Sequence, residues 1–137
     1  MSIHKQTAAK ASFEVKTWDE KPYSELDNGA KFTRASVSKS FSGDIDGEGT
    51  VVYLMFYPGD GSASFVGLEH VIGRLGDRAG SFVLQHTGAD DGATTKSTYF
   101  VVPGSGTGDL RGLRGEGRSV LSRNAPPFSM SLDYNFE

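Results

Sequence analysis

The chain has 137 residues, which suits one domain built around one hydrophobic core. Its net charge is −3 and its pI about 5.6, so it has no basic field that would bind nucleic acid or an anionic membrane surface. The absence of cysteine excludes disulfides, thiol catalysis and cysteine-based zinc sites. The 18 glycines and nine phenylalanines are typical of short strands joined by glycine turns.

The first residues of the chain are polar and show no periodic pattern. We expect residues 1–11 to form a flexible N-terminal arm and residues 12–137 to form a single domain. The arm lacks the apolar segment of a secretion signal, and no stretch of the chain is long enough to span a membrane. A cytoplasmic protein is therefore expected.

Alternation of apolar and polar residues predicts strands along most of the remaining chain. The expected strands cover residues 12–18, 31–41, 50–57, 62–72, 79–87, 93–102, 116–122 and 128–136. Turn chemistry lies at 19–30, 42–49, 58–61, 76–77, 88–92 and 124–127. A short helical turn near 109–113 is the single helical candidate.

Eight short strands without an amphipathic helix predict an all-β protein. We expect a closed eight-stranded antiparallel β-barrel, because closure leaves no exposed sheet edge. A Greek-key β-sandwich is the alternative.

The glycine stretch, residues 104–117, first suggests a phosphate-binding loop. It lacks the third glycine and the long helix of a dinucleotide-binding fingerprint, because Asp109 and Arg111 stand where that glycine is needed. A weaker possibility stays open. The backbone amides of Gly106 and Gly108, helped by Arg111 and Arg114, form a candidate anion site. In the alternative interpretation, these arginines are solvated or paired with nearby acids.

The run from Gly104 to Gly115 spells G-x-G-T-G-x-L-x-x-L-x-G, which resembles the glycine turn of plant allene oxide cyclases and dirigent proteins. From about residue 12 onward the chain also resembles a bacterial family of uncharacterised small proteins with the same type of barrel. The segments that carry this second resemblance are 17–23, 41–49, 64–69, 80–85 and the glycine stretch. The resemblance implies an allene-oxide-cyclase-like barrel. It brings no established activity, and no catalytic residue of the plant enzymes is carried over.

Glu69 is the candidate catalytic residue, because its carboxylate lies in an apolar strand where a charge is costly unless it is paired or useful. A two-residue Gly76-Asp77 loop would place Leu84 opposite Glu69. A register shifted by one residue would instead place Gln85 there and gather a polar patch on one face. A buried structural glutamate, or one at a subunit interface, is the alternative.

The histidines do not predict a metal-binding site. His70 and His86 are offset in the expected hairpin, and no further ligands accompany them, so we interpret each as an ordinary strand histidine. No metal and no cofactor are expected.

An apolar pocket at the barrel mouth is the main functional hypothesis. The candidate ligand-binding residues are Tyr53, Phe65, Glu69, Gln85 and Tyr99. The expected partner is a small apolar molecule, and the chemistry, if any, is cyclase- or isomerase-like. The alternative is a non-enzymatic homo-oligomeric barrel, a dimer or trimer. Neither nucleic acid nor a membrane is expected as a partner, and the sequence leaves open whether the protein is an enzyme.

Overall fold

The structure, a computed structural model, describes residues 6–122 and 126–137. In these ranges it contains eight strands and one 3-10 turn over Gly108–Leu110. The strands are β1 (Thr7–Glu25), β2 (Lys31–Gly43), β3 (Ile45–Tyr57), β4 (Ala63–Leu75), β5 (Arg78–Asp90), β6 (Thr94–Val101), β7 (Leu113–Ser122) and β8 (Phe128–Phe136).

The strands form a closed antiparallel barrel in which each strand pairs with its neighbours in the chain. Strand β8 returns to pair with β1, from Thr7 opposite Tyr134 to Phe13 opposite Phe128. The predicted eight-stranded barrel is therefore confirmed, and so is the short helical turn near 109–113. The strand order follows the sequence, which differs from the Greek-key alternative.

Strand β1 begins earlier than expected, because closing the barrel requires its first residues. Residues 7–11, which we assigned to the flexible arm, belong to β1 and pair with β8. Ala9 and Ala11 point inward and are buried. The first five residues of the expected arm lie outside the described residues. At its other end β1 continues through Pro22, and a register irregularity lies between Pro22 and Ser24.

The turn predicted over residues 42–49 is wrong for most of its length, because β3 already begins at Ile45. The glycines there allow two strands to approach closely. A Cβ atom added to Gly47 would lie 2.8 Å from the Cα atom of Gly73 on β4.

The two ends of the barrel differ. At one end the glycine stretch crosses the opening and carries Leu110 into the core, where it is fully buried. The Thr107 amide donates to the Ser81 carbonyl at 2.9 Å and fixes this segment to β5. Around Leu110 the interior is filled by apolar side chains, which include Ile45, Leu75, Phe82, Leu113 and Leu132. Among the described residues, the opposite end, where β1 joins β2 and β3 joins β4, is open to a cavity.

The outer face of the barrel carries apolar side chains on β3 and β4. Val52 is paired with Leu68 and Leu54 with Val66, and all four side chains are exposed. We call these four residues the outer patch. In the described part of the chain, no helix is long and apolar enough to cross a membrane.

Candidate binding site

A cavity of about 400 Å³ enters the barrel from its open end. Its walls are mainly aromatic and aliphatic, and they include Phe13, Phe41, Met55, Phe65, Tyr99, Leu121, Phe128 and Met130. Several polar side chains also line it, and among those that are themselves buried are Lys39, Tyr53, Glu69 and His86. We call these four residues the buried cluster. An apolar cavity with a few convergent polar groups is the usual form of a small-molecule site.

Strand alternation directs the buried cluster inward. Every second residue of a strand points to the same face, so Lys39 lies between the inward-facing Val37 and Phe41 of β2. On β5, His86 follows Leu84 on the inner face in the same way. The polar groups are therefore fixed by strands rather than by loops, which gives them well-defined positions.

The Glu69 carboxylate is the centre of the buried cluster. Its Oε1 atom lies 2.7 Å from Nε2 of His86 and 3.6 Å from Nζ of Lys39, and the Glu69 side chain is 1% exposed. Its Oε2 atom has no hydrogen-bond partner among the described residues. Gly49 on β3 leaves the space for this carboxylate, because a Cβ atom there would overlap Oε2 and the Phe41 ring.

Lys39 connects this carboxylate to Tyr53. Its ammonium group donates a hydrogen bond to the Tyr53 hydroxyl oxygen at 3.0 Å. The same Nζ atom lies 4.8 Å from the centre of the Phe13 ring, within the range of a cation–π interaction. The cation is thus held by a carboxylate, a phenol and an aromatic face.

Opposing effects set the protonation of the buried cluster. Burial raises the pKa of Glu69, but the hydrogen bond from His86 and the charge of Lys39 outweigh it, so this pKa lies below its ordinary value. Burial lowers the pKa of Lys39, but Tyr53 and Glu69 outweigh it and the net shift is upward.

His86 and Tyr53 are neutral at pH 7. Burial outweighs the hydrogen bond to Glu69 and lowers the pKa of His86 below its ordinary 6.5. The neutral imidazole therefore donates its Nε2–H to Glu69. Burial raises the pKa of Tyr53. The buried cluster then contains one cation and one anion, and its net charge is zero.

Trp18 stands at the rim of the cavity. Its indole N–H donates to Glu20 at 2.9 Å, and its ring stacks on Tyr53 with 6.2 Å between ring centres. Glu20 also accepts hydrogen bonds from the hydroxyls of Thr33 and Tyr57. Burial raises the pKa of Glu20, but these hydrogen bonds outweigh it, so the pKa is lowered. The half-exposed indole is thereby held over the entrance.

Four of the five predicted ligand-binding residues line the cavity: Tyr53, Phe65, Glu69 and Tyr99. Gln85 does not. The Gly76-Asp77 loop has two residues, so Glu69 pairs with Leu84, and Gln85 lies exposed on the outer face. The polar patch expected from the shifted register is therefore wrong, because the shorter loop decides the register.

Two members of the buried cluster were missed by the sequence analysis. Lys39 was not considered, and His86 was interpreted as an ordinary strand histidine. His70 is exposed on the outer face, opposite Val83. Within residues 6–122 and 126–137, no group of three or more acidic or histidine side chains is placed to hold a metal ion.

The glycine stretch shows mainly structural contacts. Gly106 packs against the backbone of Leu110, and Gly108 packs against that of Ala79. Arg114 forms an exposed ion pair with Glu137 at 3.0 Å, and Arg111 is exposed. The anion site predicted on these residues stays a prediction.

The fold and the cavity together define the class of protein. It is a closed eight-stranded antiparallel barrel with a cavity open at one end and a buried charged cluster within it. A family model described as "Protein of unknown function (DUF3224)" matches residues 9–134. The chain belongs to this family, which confirms the predicted membership in a family of uncharacterised small proteins.

One solved structure of the same family supports the fold. It is the crystal structure of a protein with unknown function from Shewanella oneidensis MR-1. The two chains are 30% identical, the match covers 97% of this chain and 99% of that chain, and the TM-score is 0.81. No match was found among the curated proteins. The resemblance to the plant cyclases stays a prediction from the glycine stretch.

Proposed function

We propose that the protein binds a small, mainly apolar molecule in the cavity. The observation that carries this proposal is an apolar space of about 400 Å³, open at one end, with a buried charged cluster in its wall. Pockets of about 300–1,000 Å³ hold drug-sized ligands. A ligand that displaces water from these aromatic walls gains hydrophobic free energy in proportion to the apolar area it covers.

Glu69 has a positioning role in this proposal. Its Oε1 atom is engaged by His86 and Lys39, so the carboxylate fixes the positions of these two side chains. Any cyclase- or isomerase-like activity then depends on constraining the substrate between walls such as Phe65 and Tyr99.

A matched pair of variants on β4 tests the proposal. Ala63 is buried and lines the cavity, whereas the neighbouring Ser64 is exposed on the outer face. We expect prodan, a neutral naphthyl ketone dye, to bind saturably with a blue shift of its emission. Ala63→Phe should weaken this binding by about tenfold or more, because the new ring occupies the cavity. Ser64→Phe adds the same ring outside and should leave binding unchanged. Absence of saturable binding to the wild type, or equal binding to Ala63→Phe, would rule out the cavity as the binding site.

The outer patch favours a second candidate function, a homo-oligomeric barrel. Val52, Leu54, Val66 and Leu68 present adjacent apolar side chains that a second copy could cover. We expect a dimer or trimer by light scattering, and dissociation on Leu68→Lys. A monomer mass for the wild type at high concentration would contradict this candidate. We also propose that the protein is cytoplasmic.

A further inference from the structure

The geometry of the buried cluster points to the class of ligand: an apolar molecule that carries a neutral oxygen atom, such as a ketone, which accepts a hydrogen bond from the Tyr53 hydroxyl. The inference rests on the proposed binding function and makes it more specific. It also implies that the cavity discriminates against carboxylates and amines of the same size.

The first argument is the charge inside the barrel. Lys39 lies 3.6 Å from the Glu69 carboxylate, and both side chains are buried. The negative charge of Glu69 therefore already balances the cation. A ligand carboxylate would add an uncompensated negative charge to a region shielded from water, and an ammonium group would add an uncompensated positive one. A neutral ligand avoids both costs.

The second argument is the hydrogen bonding of the donors in and beside the buried cluster. The ammonium group of Lys39 donates to Tyr53 and faces Glu69 and the Phe13 ring. The Nε2–H group of His86 is engaged by Glu69. The hydroxyl of Tyr99 is hydrogen-bonded to Ser119. Lys39 and His86 therefore already direct their donors to Tyr53, Glu69 or the Phe13 ring.

The Tyr53 hydroxyl is in a different position. Its oxygen accepts from Lys39, so its own proton must find another acceptor, and none is present in the part of the chain that the structure describes. The residue is buried and lines the cavity. When an apolar ligand displaces water from the cavity, this hydroxyl loses the acceptor that water provides, and a ligand oxygen replaces it.

The surroundings of Tyr53 also prepare it to donate. Accepting a hydrogen bond from a cation polarises the phenol and strengthens its own O–H as a donor. The ring is held by Trp18 on one side and by an edge contact with Phe65, with 5.3 Å between ring centres. A donor fixed in this way loses little conformational freedom when the ligand binds.

Three naphthalenes of equal size test the ligand class: acetylnaphthalene, naphthoate and isopropenylnaphthalene, each substituted at the same ring position. Their dissociation constants for the wild-type protein are measured by calorimetry at pH 7. We expect the ketone to bind about fivefold to tenfold more tightly than the alkene, as one hydrogen bond predicts. The carboxylate should bind most weakly. Equal binding of ketone and alkene, or tightest binding of the carboxylate, would overturn the inference and leave the binding function standing. Binding of none of the three would overturn both.

A pair of tyrosine variants then assigns the donor. Tyr53→Phe keeps the ring and removes the hydroxyl, so the advantage of the ketone over the alkene should disappear. Tyr99→Phe removes a hydroxyl already bonded to Ser119 and should keep the advantage. The readout is a ratio within each variant, so a general change of cavity shape affects both compounds alike. A full ketone advantage in Tyr53→Phe would show that another group is the donor. The wild-type comparison stands without these variants if either fails to fold.

Discussion

Replacing Glu69 with glutamine tests the charge balance inside the barrel. Glutamine keeps the shape of the side chain and an oxygen that accepts from His86, so the substitution removes mainly the negative charge. At the 3.6 Å that separates Glu69 from Lys39, two unit charges attract by about 5 kcal/mol at an effective dielectric constant of about 20. Removing one partner of a buried ion pair costs about 3–5 kcal/mol. We therefore expect Glu69→Gln to lower the free energy of unfolding by about 3–5 kcal/mol.

The assay is urea unfolding at pH 7, followed by the fluorescence of Trp18, the protein's single tryptophan. Lys39→Met and the double variant complete a mutant cycle. The double variant should lose less stability than the sum of the two single variants, because no charge is left buried without a partner.

The exposed pair of Lys16 and Glu14, 3.2 Å apart, provides the control. Glu14→Gln should change the free energy of unfolding by less than about 1 kcal/mol, because water screens this pair. A loss below about 1 kcal/mol for Glu69→Gln, or additive single variants, would refute the proposed charge balance.

Three further predictions follow from neighbouring contacts. The pKa of His86 is held below its ordinary 6.5, so below that pH the unfolded chain takes up a proton that the folded protein excludes. The free energy of unfolding should therefore fall as the pH drops from about 7 to 5, and His86 contributes at most about 1.4 kcal/mol per pH unit to this fall. His86→Gln should reduce the slope of unfolding free energy against pH. An unchanged slope in this variant would contradict the prediction. Gly49→Ala places a methyl group against the Glu69 carboxylate and should lower the free energy of unfolding in urea by about 1–3 kcal/mol. A variant as stable as the wild type would show that the carboxylate moves aside. Glu20→Ala removes the acceptor of the Trp18 indole and should increase acrylamide quenching of its fluorescence; equal quenching would show that stacking alone holds the ring.

The sequence was sufficient to predict the barrel, because strand alternation and turn signals are local. It also contained the register of β4 and β5, since a two-residue Gly76-Asp77 loop places Leu75 opposite Arg78. The glycines of residues 42–49 were misleading. Glycine favours a turn, but it equally permits close approach of strands, and Gly47 serves the second purpose.

The buried cluster was harder to predict, although part of the signal was present. Lys39 stands between Val37 and Phe41 in an alternating strand, and this position alone places it on the inner face. The partner of Lys39 could not be found in the same way. Lys39 lies on β2 and Glu69 on β4, and the two meet inside the barrel rather than across a shared ladder. Such contacts depend on how the sheet closes, which no local pattern records.

Under the proposed binding function, the filled and open ends of the barrel separate folding from recognition. Leu110 and its neighbours at the filled end stabilise the barrel without contacting the cavity, whereas Met55 and Leu121 line its mouth. Substitutions at the mouth can therefore alter what the cavity accepts while the closed sheet stays intact. If the cavity binds ligands as proposed, a scaffold divided in this way allows its specificity to change on one backbone.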